Sequence, residues 1–126
     1  MLTRKDRATK ERDGKQFAFP IEDGAAITLG TMVAVNASGK AVPVSTASGL
    51  TVVGIAELFT GSGDTMIQAR RGCFAFDAVA SGAPTLADVG KPVYAADGST
   101  VATASAAGPQ AGILLGVDED GCWVTI

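Results

Sequence analysis

Six of the ten basic side chains fall within the first sixteen residues: Arg4, Lys5, Arg7, Lys10, Arg12 and Lys15. Cations at this density can pair with carboxylates on a protein partner or with phosphates on a polyanion. Only Asp6, Glu11 and Asp13 offset them, so the segment carries +3. The rest of the chain holds four basic and ten acidic side chains and carries −6, which gives −3 overall. A basic arm on an acidic body suits docking to a negative surface. Arg70 and Arg71 form a second cationic spot at the end of an apolar stretch, where guanidinium forks could grip carboxylates of a neighbouring subunit.

Other chemistry is excluded by residue type. The chain has no histidine, so Ser-His-Asp and Cys-His catalysis and imidazole zinc sites are ruled out. Two cysteines cannot supply a four-thiolate zinc or iron–sulfur site. Cys73 and Cys122 lie far apart in apolar, strand-like surroundings and are expected to be buried free thiols. The run Thr60-Gly61-Ser62-Gly63-Asp64-Thr65 lacks the Gly-Lys-Ser/Thr ending of a phosphate loop and reads as a hairpin turn. Asp118-Glu119-Asp120 are consecutive, so their carboxylates diverge and do not converge on a calcium ion. Most other body acids sit beside Gly, Ser or Asn, where they serve turns. No catalytic residue, metal or cofactor is expected, and the chain reads as non-enzymatic.

These residues must be carried by β-structure. The 126 residues are 47% hydrophobic and 18% charged, which fits one globular domain. Residues 1–16 form an arm with almost no apolar side chain. The i,i+4 spacing of Asp6 with Lys10 and Arg7 with Glu11 permits a short helix, but without an apolar stripe it would be marginal. An extended arm fits equally well. Residues 17–126 form the all-β domain. Phe17 and Phe19 alternate with smaller neighbours before Pro20. Thr31–Val35 and Lys40–Val44 flank an Asn36–Gly39 turn as a hairpin. Thr51–Phe59 is a longer strand in which Gly54 suggests a bulge. Strands follow at Thr65–Arg71, Cys73–Phe76, Pro92–Ala96, Thr100–Thr103, Ala111–Val117 and Cys122–Ile126. Thr85 as a cap, Asp88 three residues on and Gly90 as a stop predict one helical turn near 85–89. No signal peptide pattern is read at the start, because the basic residues are mixed with acids and no apolar run follows. Gly98–Val117 is uncharged but too rich in small and polar residues to read as a membrane span.

The strands repeat. Gly30-Thr31-Met32-Val33-Ala34-Val35 matches Gly90-Lys91-Pro92-Val93-Tyr94-Ala95. Gly39 matches Gly98, and Val42 matches Val101. Val53-Gly54-Ile55-Ala56 matches Ala111-Gly112-Ile113-Leu114, and Met66–Ala69 matches Trp123–Ile126. The expected fold is a small β-barrel or sandwich built from two related hairpin modules, approximately 30–69 and 90–126, which bury their apolar faces on each other.

Gly90-Lys91-Pro92-Val93-Tyr94, the Asp97-Gly98 turn, Val101, Gly112–Val117 and the closing Trp123-Val124-Thr125-Ile126 resemble the capsid cement, or head decoration, proteins of tailed bacteriophages. Gly30–Val35, Gly39-Lys40 and Val53–Glu57 have the same look. The resemblance implies a small β-protein on the outside of an icosahedral head, assembled in the bacterial host cytoplasm, that ties major capsid protein subunits together after expansion. It also implies self-association, with a trimer favoured over a dimer. The expected capsid and subunit interface is Arg4, Lys5, Arg7, Lys10, Arg12, Lys15, Phe17, Phe19, Arg70 and Arg71. Two other functions remain open from the residues. One is nucleic-acid binding through the arm, disfavoured by the acidic body and the arm's lack of aromatic residues. The other is a small ligand-binding barrel, which would need a deep pocket with convergent polar groups. Neither nucleic acid nor membrane is the expected partner.

Overall fold

The computed structural model describes residues 6–126. It is built almost entirely of antiparallel strands, in two sheets of five joined by short turns. The first sheet contains β1 (Gln16–Pro20), β2 (Met32–Val35), β3 (Ala41–Pro43), β4 (Thr51–Thr60) and β5 (Met66–Arg70), in the order β1-β5-β4-β2-β3. The second contains β6 (Cys73–Ala78), β7 (Pro92–Ala95), β8 (Thr100–Ala102), β9 (Gln110–Asp118) and β10 (Gly121–Thr125). Its strands pair in the order β10-β6-β8-β7-β9, and β9 pairs back to β10. The expected helical turn is a 3-10 turn at Leu86–Asp88. Thr85 accepts a bond from the Ala87 amide, and the Asp88 carboxylate accepts one from the Thr85 amide.

The pairing pattern of the first sheet recurs in the second. β3-β2-β4-β5 corresponds to β8-β7-β9-β10, and β1 on β5 corresponds to β6 on β10. The repeat therefore starts earlier than residue 30. Phe17-Ala18-Phe19 returns as Phe74-Ala75-Phe76, because both segments lay two phenylalanines against the last strand of their module. Register corrects three of the sequence matches. The Asn36–Lys40 and Ala96–Thr100 turns have the same length and the same closing bond, so Gly39 corresponds to Ser99, not Gly98. Val35 pairs with Ala41 and Ala95 with Val101, so Ala41, not Val42, corresponds to Val101. Phe17 pairs with Ala69 and Phe74 with Val124, so Ala69 corresponds to Val124, not to Ile126. Small apolar residues look alike in sequence, and only the ladders separate a one- or two-residue slip.

The bulges recur too. β4 skips a residue at Val53 against β2 and another at Glu57 against β5. β9 does the same at Ala111 and Leu115. Each bulge bends its strand and adds twist, which lets five short strands curl around a core. Gly54 and Gly112 occupy equivalent places beside the first bulge. A Cβ on Gly54 would stand 2.5 Å from the Arg70 carbonyl oxygen, and one on Gly112 would overlap the Thr125 carbonyl oxygen. Glycine is needed at both because neighbouring backbone fills the space of a side chain.

Equivalent positions fill the two interiors. Val33, Ala41, Ala56, Ile67 and Ala69 are buried in the first, with Phe19, Ile21 and Val53 packed against them. Val93, Val101, Leu114, Cys122 and Val124 are buried in the second, with Phe76 and Ala111. Met32 and Val52 belong to the first sheet but lie in the second core, and Val44 and Ile55 pack beside them. The Met32 amide also donates to the Gly98 carbonyl at 2.7 Å. Cys122 is buried as expected, and desolvation, with a smaller contribution from Asp77, pushes its thiol pKa up. Cys73 is exposed, contrary to expectation. In β6 the inward positions belong to Phe74 and Phe76, so alternation turns Cys73 outward. Asp97 caps the β7–β8 turn, and the Ser99 amide bond, the largest cause, holds its carboxyl pKa below the ordinary value.

Gly112→Ala should destabilise the fold by about 1–3 kcal/mol, the usual effect of forcing atoms into filled space. Gly116 stands in the same strand with nothing within 4 Å of its Cβ position. Gly116→Ala should be neutral or stabilise by about 0.5 kcal/mol. Urea unfolding of both variants checks the contrast.

Candidate functional site

Four of the expected interface cations gather where the arm enters β1 and where the first module hands over to the second. Arg12, Lys15, Arg70 and Arg71, with Asp13 as the one acid, line an open groove of about 530 Å³ that also includes Gln16 and Phe74. Pairing of the two segments causes this meeting. The Arg71 amide donates to the Lys15 carbonyl at 2.7 Å, and Gln16 stands opposite Arg70 in the β1–β5 ladder. Arginines sit over both first phenylalanines of the repeat. The Arg12 guanidinium lies 5.6 Å from the Phe17 ring centroid, and that of Arg70 lies 5.7 Å from the Phe74 centroid. At exposed sites such contacts contribute about 0.5–1 kcal/mol each. They also hold the two guanidiniums near the seam.

A second groove, of about 580 Å³, adjoins the first through Arg71. Phe17, Phe19, Val52 and Val53 line it from the first module, and Ala111, Gly112 and Ile126 from the second. It is open and mostly apolar. The two grooves together form a surface with an apolar floor and a cationic end.

The expected residues divide into three groups. Arg12, Lys15, Phe17, Phe19, Arg70 and Arg71 all line one or both grooves. Arg7 and Lys10 are exposed on the arm, outside both. Arg4 and Lys5 lie outside the described residues. Residues 6–13 have no helix or strand, so the short helix permitted by their spacing does not form there. Phe19 is more than an anchor for the arm, because it packs into the core of the first module.

Sequence reasoning missed the polar cluster that steadies this surface. The Glu57 carboxylate accepts from Gln16 Nε2 at 2.9 Å and from Gln68 Nε2 at 2.7 Å. Arg70 lies 3.9 Å from its other oxygen. A signal was present, since Glu57 is the sole charge in the run Leu50–Phe59. The bulge at Glu57 turns it to the outer face, where β1, β4 and β5 can all reach it. Asp118, by contrast, is engaged locally. Its carboxylate accepts from Trp123 Nε1 at 2.9 Å and from the Asp120 amide at 2.9 Å. Among the described residues no group of acidic, cysteine or histidine side chains is arranged to hold a metal ion.

Glu57→Ala should cost about 1 kcal/mol, because two amide side chains lose a shared acceptor at a half-buried position. Arg70→Ala should cost about 0.5–1 kcal/mol, nearly all of it the lost contact with the Phe74 ring, since its ion pair is long and largely solvated. Urea midpoints of the two variants give the order. No protein-family model, curated protein or solved structure matches the chain.

Proposed function

We propose that the chain is a non-enzymatic structural protein that binds the outer surface of a phage head and cements neighbouring capsid subunits. On this reading its two modules are small barrels that act as a rigid body, and the arm is the strap. The observation that carries the reading is the convergence of Arg12, Lys15, Arg70 and Arg71 on one open surface beside an apolar groove. Such a surface suits a carboxylate-bearing protein partner. The resemblance of Gly90–Tyr94, Gly112–Val117 and Trp123–Ile126 to capsid cement proteins supplies the partner's identity. The −6 body weighs against a polyanion as the target.

The mechanism is mass action. A protein that binds the assembled shell and not its separated subunits stabilises the shell by its binding free energy. Self-association into a trimer, or a dimer, would let several arms engage neighbouring subunits at high effective concentration. Arg7 and Lys10, exposed beyond the seam, extend the cationic reach toward the capsid.

Deletion of residues 1–13 is the direct test, because it spares Lys15 and all of β1. The truncated chain should fold with unchanged β-content but co-sediment poorly with expanded heads of the phage that carries it. Full binding by the truncation would overturn the strap role. Binding by the intact chain should also weaken as salt rises from about 0.1 M to about 1 M, which shortens the screening length from roughly 10 Å to roughly 3 Å.

A further inference from the structure

The two modules differ in how their first strand is covered. The β1–β5 ladder is bonded at Lys15 with Arg71 and at Ile21 with Thr65, so odd-numbered residues of β1 face β5. Ala18 therefore turns its N–H and C=O the other way. The next strand on that side is β3, but it reaches only Ile21, through one parallel bridge to Ala41, and the Glu22 amide. Ala18 is exposed and meets no backbone partner among the described residues. In the second module the matching stretch, Cys73–Phe76, faces Gly30 and Ile55 of the first across a smaller groove of about 330 Å³. The link after it is a two-residue parallel ladder, Asp77 with Thr100 and Ala78 with Val101. Ala75, the counterpart of Ala18, also meets no backbone partner on that side among the described residues, but it is half-buried, so the first module keeps the more exposed of the two strand edges.

That edge has a chemistry. Phe17 and Phe19 on either side of Ala18 point into the apolar groove, and Arg71 and Arg12 stand at its cationic end. We propose that the β1 edge takes up an extended acidic peptide segment as an added strand. The Ala18 N–H and C=O would bond its backbone, its apolar side chains would cover Phe17 and Phe19, and its carboxylates would meet Arg71, Arg12 and Lys15. Main-chain bonds give such complexes affinity, and alternate side chains give them specificity. The inference rests on reading this surface as a binding surface and adds the conformation and charge of the partner segment.

The test uses the full chain, labelled with nitrogen-15, and a free acetylated and amidated heptapeptide alternating glutamate with valine. Saturating peptide should slow exchange of the Ala18 amide by about tenfold or more, the protection expected when about 1.4 kcal/mol of opening cost is added. The same peptide with lysine for glutamate should give no protection. Arg71→Glu, at an exposed side chain, should weaken binding by at least about tenfold. Ala18→Pro should abolish binding without unfolding, since proline is tolerated where the lost N–H faces outward from an edge. If Ala18→Pro fails to fold, exchange at Ala18 in the wild-type chain and the Arg71 variant decide. Shifts confined to residues 6–13, equal binding of the lysine peptide, or no protection at Ala18 would each overturn the proposal. Because the probe is a free peptide, its failure is separate from any result with capsids.

Discussion

Met32 and Val52 link the two halves of this protein. Both belong to the first sheet, yet their side chains are buried in the core of the second. Fully burying a side chain of this size is worth about 1.5–3 kcal/mol. The bond from the Met32 amide to Gly98 fixes the register of that contact. Each module has only a handful of buried residues, many of them alanine or valine, which is a slender core for some sixty residues. Sharing Met32 and Val52 makes the second core larger and couples the modules into one unit.

The same contact breaks the symmetry that the repeat would otherwise impose. The register puts Pro92 where Met32 stands and Gln110 where Val52 stands. Both are exposed, so the second module inserts nothing comparable into the first. The last position shows the same contrast. Ile126 packs against the second core, while its counterpart Arg71 is exposed at the groove. One module is finished by its neighbour and the other is left with an uncovered phenylalanine pair and an arginine. The repeat makes two equivalent scaffolds, and a few differences at equivalent positions leave one of them with an exposed apolar and cationic surface.

Much of the fold was legible because strands announce themselves locally. The β-branched runs, the Asn36–Gly39 and Asp97–Gly98 turns and the Thr85–Asp88 cap all carry their signal within a few residues. The repeat was legible where it preserved glycine at the bulges, as at Gly54 and Gly112. It was obscured where only small apolar residues marked the place, so Val42 and Ile126 were matched one and two positions out of register. The return of Phe17-Ala18-Phe19 as Phe74-Ala75-Phe76 was visible in the sequence but meant little until both were seen on the same partner strand. The site was legible as a set of cations but not as a surface. Sequence distance hides that Lys15 bonds Arg71, and that Gln16, Gln68 and Arg70 share Glu57. The outward turn of Cys73 follows from the inward phenylalanines, a fact of alternation that its apolar neighbours masked.

The energetics of such a surface limit how it can work. Exposed ion pairs contribute roughly 0–1 kcal/mol each, and salt screens them. Arg12, Lys15, Arg70 and Arg71 together could therefore supply only a few kcal/mol, well short of the roughly 8 kcal/mol of a micromolar complex. The apolar floor beside them adds area-dependent attraction that salt does not screen. The proposed cement role would therefore rest on numbers: several weak, oriented grips on a repeating lattice, each raising the effective concentration of the next. On the proposed reading, the shared core that couples the two modules would keep the grips in register, and the basic arm would extend their reach.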